Sequence, residues 1–507
     1  MSKAIKRRVA AAAVLCAVFG SGAASAASIT RSSSFAYDAA SGQPIQEVVE
    51  PDTPAMRLQT DISYDAFGNK VSMTVSGTDI VTRTDGSGYD AKGQFVSTNT
   101  NALGQSESFQ YDPRFGHPTS HTGPNGLTTT RSYDGFGRKI LEMLPDGTQT
   151  KWAYLFCNGV NGGSATCPAG ASYLIQTTPY AADGATANGP VLLVYYDLLD
   201  REVARDTQGF DGSTIRATTT YDAQGRVSQT SRPYFVSGGT PQLTAYTYDA
   251  LGRVVTRTLP DGSVSRTAYH GLTVTKTNAL NQTRTVTKNS QGNVVSVTDA
   301  LGKTMTYVYD PFGNLAQTTD AVGNVVTASY DRRGGKIASA DPDLGNWSYS
   351  YNTLGLLVSQ TNAKSQTTTL AYDTLDRLVR QIEPDMTSVW VYDTAAHGIG
   401  KLASTGITAG PGNGYAFSTS YDALGRAVQA VTTIDGATYT MGATYDANGR
   451  LAKVSYPSGF TARYAYTALG DTSQLLDDAT GQAYWTANAM DADGHLTQQT
   501  AGPHHHR

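Results

Sequence analysis

A Tyr-Asp pair that recurs along almost the whole chain is the feature that most constrains its fold. Tyr309-Asp310 is followed by Tyr330-Asp331, Tyr351-Asn352 and Tyr372-Asp373, each 21 residues after the one before. The 507 residues contain 14 Tyr-Asp pairs. A fixed short period marks a repeat architecture, in which each unit packs only against its neighbours. We therefore expect one continuous array of small units, which does not need a single large core.

The best copies of the repeat read Tyr-Asp-x-x-Gly-Arg, a pattern that suits a tight hairpin. The Asp carboxylate can accept hydrogen bonds from the next backbone N–H groups, and Gly can supply the positive φ that closes the loop. The pattern predicts structural turn residues without a catalytic, cofactor or metal role. These residues are Tyr133, Asp134, Gly137, Arg138, Tyr221, Asp222, Gly225, Arg226, Tyr248, Asp249, Gly252, Arg253, Tyr309, Asp310, Gly313, Tyr421, Asp422, Gly425, Arg426, Tyr445, Asp446, Gly449 and Arg450.

The segments between these turns alternate and are rich in Thr, Val and Tyr, as in Thr304 to Tyr309. Such segments are typical of strands. A second turn signal follows each first one, for example Asp299 to Gly302 and Leu259 to Gly262. Each repeat is thus strand, turn, strand, turn. Laid end to end, these units predict a long antiparallel ribbon.

This pattern resembles the RHS/YD-repeat family, which includes bacterial Rhs proteins, the B and C components of Tc toxins and the YD shell of teneurins. The resemblance implies an all-β fold, in which tandem hairpins spiral into an open or partial hollow shell. In that family the shell commonly encloses a C-terminal toxin or other cargo. The resemblance covers nearly the whole chain after its first residues.

The chain divides into five predicted regions. Residues 1–26 have a basic start, a short apolar run and Ala24-Ser25-Ala26 at the end, which is typical of a secretory signal peptide. Residues 27–138 and 196–500 carry Tyr-Asp repeats, residues 139–195 are an irregular insertion, and residues 501–507 are a tail. No later stretch is apolar enough to span a membrane, so we expect a secreted or cell-surface protein, with the periplasm as an alternative.

Two cysteines lie in the insertion, ten residues apart. Cys157 and Cys167 flank a loop rich in Gly and Asn, and no His lies between residues 122 and 269. In an exported chain this spacing favours a disulfide over free thiols, and zinc would need more ligands nearby.

The net charge makes nucleic acid an unsuitable partner. The formal charge is −4, and removing Lys3, Lys6, Arg7 and Arg8 with the leader takes it to −8. Phosphate binding needs a basic face.

The sequence contains no metalloprotease, nucleophile-elbow or phosphate-loop motif. Asp310-Pro311-Phe312-Gly313 matches the letters of the autocleavage motif of Rhs relatives, but it lies inside an ordinary repeat, where Pro suits the first turn position. We predict no enzyme activity and no cofactor.

Tyr allows two interpretations. Aligned Tyr rings can form ladders between successive turns of the ribbon, or they can bind sugar rings by their faces. The first fits an exported shell or scaffold in a polymorphic-toxin or cell-contact system. Its expected partner is a C-terminal toxin or core polypeptide, or another copy that pairs with a free strand edge near residue 495. The second fits a surface adhesin that binds glycans.

Overall fold

The computed structural model describes residues 30–502 and the backbone of residues 5–8. The predicted signal peptide otherwise lies outside these residues, as does the tail from residue 503. The described residues form one sheet of 42 strands in which every strand pairing is antiparallel. A single turn of 3-10 helix, Pro54–Met56, interrupts them. The all-β fold predicted from the repeats is confirmed.

Consecutive strands pair with each other, so that the sheet follows the chain. They are β1 Ile5–Arg8, β2 Ser32–Tyr37, β3 Pro44–Val49, β4 Leu58–Tyr64, β5 Lys70–Gly77, β6 Arg83–Tyr89, β7 Val96–Thr100, β8 Ser106–Asp112, β9 His117–Thr122, β10 Thr128–Tyr133, β11 Lys139–Met143, β12 Gln149–Phe156, β13 Tyr173–Tyr180, β14 Leu192–Tyr196, β15 Glu202–Gln208, β16 Thr214–Tyr221, β17 Val227–Ser231, β18 Tyr234–Phe235, β19 Leu243–Tyr248, β20 Val254–Thr258 and β21 Val264–His270. The second half comprises β22 Thr273–Thr277, β23 Thr283–Lys288, β24 Val294–Thr298, β25 Thr304–Tyr309, β26 Leu315–Thr319, β27 Val325–Tyr330, β28 Lys336–Asp341, β29 Gly345–Tyr351, β30 Leu357–Thr361, β31 Thr367–Tyr372, β32 Leu378–Ile382, β33 Thr387–Tyr392, β34 Leu402–Ala409, β35 Ala416–Tyr421, β36 Ala427–Ile434, β37 Ala437–Tyr445, β38 Leu451–Ser455, β39 Thr461–Tyr466, β40 Thr472–Asp477, β41 Ala483–Met490 and β42 Leu496–Ala501. A local exception lies at β16, which pairs with both β17 and β18 before β17 pairs with β19.

The two sheet faces differ in composition. Residues directly opposite each other in an antiparallel pair share a face, as do residues two apart along a strand. One face carries Tyr307, Tyr309, Trp347 and Tyr349, and the other carries paired Thr hydroxyls such as Thr298 with Thr304. Cross-strand hydroxyl pairs of this kind stabilise a sheet modestly.

The ribbon winds into a spiral whose second circuit contacts the first. The Asp79 carboxylate accepts hydrogen bonds from the backbone N–H and hydroxyl of Thr353, at 2.9 and 2.7 Å. The Asn125 side chain exchanges two hydrogen bonds with the backbone of Ile399. These and similar contacts join residues 260 to 293 positions apart, so one circuit takes that length of chain.

The contacts between circuits join one edge of the first circuit to the opposite edge of the second circuit. We call the edge formed by the Tyr-Asp turns the Tyr-Asp edge, and the edge formed by the alternate turns the second edge. Five residues at the second edge of the first circuit contact the Tyr-Asp edge of the second circuit: Thr53, Asp79, Arg83, Asn125 and Arg232. Two of the contacted turns are variants of the repeat, which begin with Tyr351-Asn352 and Met490-Asp491. We call this line of contacts the seam. The fold is therefore an open β-shell, closed laterally along the seam.

Candidate functional site

The Asp carboxylate fixes the shape of each Tyr-Asp turn. Asp249 Oδ1 accepts hydrogen bonds from the backbone N–H groups of Leu251 and Arg253, both at 2.9 Å. Gly252 has a φ of 78°, and the sheet register slips by one residue at Tyr248. A residue with a side chain is strained at such a φ. Gly313 and Gly302 have φ values of 85° and 74°, so both kinds of turn use Gly as the sequence predicts.

The same carboxylate also holds the Arg at the end of the turn. Asp249 Oδ2 accepts a hydrogen bond from Arg253 Nε at 2.8 Å. The backbone hydrogen bond from Arg253 lowers the pKa of Asp249, and its side-chain hydrogen bond acts in the same direction. Equivalent ion pairs join Asp134 to Arg138, Asp222 to Arg226, Asp422 to Arg426 and Asp446 to Arg450.

That Arg then contacts the Tyr of the next repeat. The Arg226 guanidinium lies over the Tyr248 ring, 4.5 Å from its centroid, and the Tyr248 hydroxyl donates to the backbone carbonyl of Val227 at 2.6 Å. A cation over an aromatic face is attracted by the ring quadrupole. Both ends of the Tyr side chain are thus used to attach one hairpin to the preceding one.

This link recurs along the array. Arg426 lies 4.4 Å from the centroid of Tyr445, and Arg450 lies 4.3 Å from that of Tyr466. The hydroxyl-to-carbonyl bond also recurs, from Tyr133 to Pro118, Tyr221 to Glu202, Tyr309 to Val294, Tyr421 to Leu402 and Tyr445 to Ala427. Tyr therefore forms a ladder that runs from hairpin to hairpin along the sheet.

Turns that depart from the consensus keep the same geometry. Asp200 and Asp376 occupy the Gly position and have φ values of 59° and 64°. Asp310 in the Asp-Pro-Phe-Gly segment accepts hydrogen bonds from the N–H groups of Phe312 and Asn314, as in the other turns.

The loop between β12 and β13 carries a disulfide and packs against the sheet. Cys157 and Cys167 are bonded, with their Cα atoms 5.7 Å apart. The loop that they close lies against a buried cluster of Leu174, Tyr195 and Ala204. Tyr195 donates to the buried Asp206 at 3.1 Å, and Arg216 binds both oxygens of that carboxylate at 2.7 Å. Burial together with the nearby Asp206 charge raises the pKa of Tyr195 to about 12.

One group of side chains has the composition of a possible metal site. Within residues 30–502, Asp491, Asp493 and His495 bring three possible metal ligands within 4.8 Å of one another. All three already have protein partners, because Asp491 bonds His495 and Asp493 pairs with Arg232.

A groove of about 390 Å³ lies on the Tyr face, lined by Tyr330, Trp347 and Tyr349 among others.

Sequence reasoning did not identify the seam residues. Asp79, Arg83, Asn125, Thr353 and Asp376 lie in turns of different sequence, and only the spiral brings them together. The residues that meet are about one circuit apart in the sequence, for example 293 positions for Arg83 and Asp376. A pattern confined to single repeats does not show such a pairing. Among the described residues, no helix is long and apolar enough to cross a membrane.

The comparisons with known proteins agree with this architecture. The RHS Repeat family model matches residues 113–149, 237–264, 289–325, 351–385 and 445–483. No curated protein matches the sequence significantly.

Solved structures with a similar fold come from Tc toxins. A crystal structure of TcdB2-TccC3 matches with a TM-score of 0.71 and 16% identity, over 87% of this chain and 27% of the other. The Tc holotoxin pore of Photorhabdus luminescens, with a mutated TccC3, matches with a TM-score of 0.71 and 14% identity, over 93% of this chain and 35% of the other. The chain thus spans about a third or less of the solved chains that it matches. It carries RHS repeats, which confirms the resemblance to the RHS/YD-repeat family, and it has the all-β shell fold of those Tc toxin chains.

Proposed function

We propose that this chain is an exported, non-catalytic shell or scaffold that encloses or presents a cargo in a polymorphic-toxin or cell-contact system. The observation that carries this proposal is that the recurring residues of the repeat contact each other. The recurring Asp, Arg and Tyr side chains bind each other from hairpin to hairpin, as in Arg226 and Tyr248. The side chains that could supply chemistry are thereby engaged in holding the sheet.

The shell-like fold and the seam support the same function. A spiral that contacts itself encloses space with strand faces and needs no chemistry of its own. The partner proposed for this shell is a C-terminal toxin or core polypeptide, and export would use the predicted signal peptide of residues 1–26. Asp, Arg and Tyr of the repeat are then structural residues, and the chain has no enzyme activity.

Expression of residues 27–507 in the cytoplasm of a susceptible bacterium tests this proposal. Growth should match that of a strain carrying the empty vector, because the shell has no toxic chemistry. Killing by this chain alone, abolished by point changes outside the turns, would falsify the scaffold proposal.

A second candidate function is glycan binding by an adhesin. The groove on the Tyr face favours it, because the Trp347 and Tyr349 rings lie stacked 6.3 Å apart on its wall. Aromatic faces can bind sugar rings. A glycan array separates the two functions. Binding that is lost in Trp347→Ala, and retained when Trp152→Ala is used as the control, would favour the adhesin.

A further inference from the structure

One Tyr-Asp turn of the second circuit carries its positive charges outside the consensus position. The turn reads Tyr330-Asp331-Arg332-Arg333-Gly334-Gly335 and is followed by Lys336. Gly335 stands where the consensus has the Arg that covers the next Tyr ring. The two arginines occupy the middle of the turn instead, and Arg332 Nη1 donates across the seam to the Thr53 hydroxyl at 3.3 Å. The charges of this turn therefore lie at the seam.

A groove of about 630 Å³ lies between this turn and the first circuit. Its wall includes Gly335, Tyr349 and Tyr351 from the second circuit, and Ala55 and Met56 from the first. In a consensus turn the Arg side chain would lie over the ring of Tyr351. Gly335 has no side chain to place there, so the ring borders the groove.

Four basic side chains surround this groove. Arg333 and Lys336 line it, and Arg332 lies beside it in the same turn. Arg31 approaches from the first circuit, because a Cβ placed on the groove residue Gly334 would lie only 3.5 Å from Arg31 Nη2. We call these four residues the seam basic cluster.

The seam basic cluster lacks counter-charges. Within the described part of the chain, none of its four members forms an ion pair. Nε and Nη2 of Arg31 are buried, and neither has a hydrogen-bond partner among the described residues. A buried donor without an acceptor is destabilising, and more so when it belongs to a charged group. The cluster therefore favours an anion that can accept these hydrogen bonds.

The acidic side chains nearby do not fill this role. Asp331 Oδ1 accepts hydrogen bonds from two backbone N–H groups of its own turn, both at 2.8 Å. Glu50 is buried and accepts a hydrogen bond from the Ser32 N–H at 3.2 Å. With Asp52 they make three acidic groups against the four basic ones, in a chain whose net charge is −4.

We infer that this groove binds a small phosphate-bearing organic molecule, which holds the two circuits together at the seam. The phosphate accepts hydrogen bonds from Arg31 and Arg333 and pairs with Lys336, because guanidinium groups match phosphate oxygens and several cations suit a dianion. The organic body lies against Tyr351 and Met56, which offer apolar contact area. Since Arg31 belongs to the first circuit and Arg333 to the second, the ligand contacts both sides of the seam.

Thermal unfolding of the full exported chain tests the site. The melting temperature is measured with inorganic phosphate, ribose 5-phosphate or adenosine monophosphate, each compared with sodium chloride at equal ionic strength. A ligand that binds only the folded chain raises the melting temperature as its concentration rises. We expect both esters to raise it more than inorganic phosphate does, and sodium chloride not to raise it. The ester with the larger effect identifies the organic body.

Single substitutions locate the ligand. Arg31→Gln and Arg333→Gln should each weaken ester binding about tenfold, because each removes a charge-assisted hydrogen bond to the phosphate. Titration calorimetry measures the affinities. Arg380→Gln is the matched control, since Arg380 is exposed on strand β32 and does not line the groove. This control should bind the ester as the parent does.

Gly335→Arg restores the consensus turn and gives an independent test. The new side chain should bond Asp331 Oδ2, as Arg253 bonds Asp249, and should cover the Tyr351 ring. A Cβ at position 335 would lie 2.7 Å from Asp331 Oδ2, so that carboxylate has to turn to accept the new bond. We expect this variant to melt no lower than the parent and to lose ester binding, because the new side chain fills the groove.

Hydrogen exchange tests whether the ligand holds the circuits together. The Thr353 N–H donates across the seam to Asp79 at 2.9 Å, so its exchange reports local opening. Exchange at this amide should slow when the ester is bound to the parent. It should not slow in Arg333→Gln at the same ester concentration.

Several results would overturn the inference. An equal effect of sodium chloride would show charge screening alone, and tighter binding of citrate would make the ligand a carboxylate. Unchanged binding by both Arg31→Gln and Arg333→Gln would place the ligand elsewhere. Exchange of the Thr353 amide that is unaffected by bound ester would remove its role at the seam. None of these results affects the growth assay, so the shell proposal is judged separately.

Discussion

At the scale of single residues, the consensus side chains of the repeat make a recurring set of contacts. Asp shapes the turn and orients Arg, Arg covers the next Tyr ring, and Tyr bonds the preceding hairpin, as Asp222, Arg226 and Tyr248 show. The sequence predicted the turns because Asp and Gly have strong local preferences. It did not predict the Arg-over-Tyr contact, since that joins two repeats.

The positive φ of Gly252 gives a direct test of the turn. Gly252→Ala should lower the free energy of unfolding by about 1–2 kcal/mol, because a Cβ is strained in the left-handed region. Gly442→Ala is the control, because Gly442 lies in strand β37 and a Cβ there meets Ser455 at an ordinary 3.6 Å. Denaturant unfolding measures both. Equal stability of the two variants would contradict the turn assignment.

Tyr195 gives a test by pH. Its pKa is raised from 10 to about 12 in the folded chain, chiefly by burial and also by Asp206. A group whose pKa is raised on folding contributes its full stabilisation of the folded chain at pH values below its pKa in the unfolded chain. This contribution is therefore present below pH 10 and is lost as the pH rises toward 12. Alkaline unfolding curves of the parent and of Tyr195→Phe should differ in slope across that window. Parallel curves would show that Tyr195 titrates normally.

At the scale of the element, local sequence rules do not predict all of the structure in the segment of residues 139–195. Its strands β12 and β13 continue the sheet, but the loop between them folds over Leu174, Tyr195 and Ala204 to form a buried cluster. The cysteine spacing predicted the disulfide. The packing of the loop on the sheet was not predictable, because it depends on Ala and Cys side chains with no periodic pattern.

Loss of the Cys157–Cys167 bond should loosen this element. Cys157→Ser with Cys167→Ser should cost roughly 2–3 kcal/mol, as the chain-entropy account gives for a loop of this size. Peptide mapping of the exported protein without reductant should recover the two cysteines linked. Two thiols that alkylate freely in the native protein would contradict the bond, and an unchanged melting temperature would show that it stabilises nothing.

At the scale of the whole molecule, successive hairpins form the spiral, and the seam contacts hold its second circuit against the first. Period and turn chemistry were enough to predict an all-β array and, through family resemblance, a shell. They were not enough to predict which turns meet, since Asp79 and Thr353 are 274 residues apart.

The central claim is that the second circuit lies on the first along the seam, and disulfide trapping tests it most directly. Asp79→Cys with Thr353→Cys should crosslink within one chain under mild oxidation, because the native side chains are in hydrogen-bond contact. Leu280→Cys with Thr353→Cys is the control, since Leu280 lies in an exposed second-edge turn outside the seam. The spiral predicts an intramolecular 79–353 link, mapped by mass spectrometry, and none between 280 and 353. Equal linking of the two pairs, or links only between different chains, would contradict the spiral.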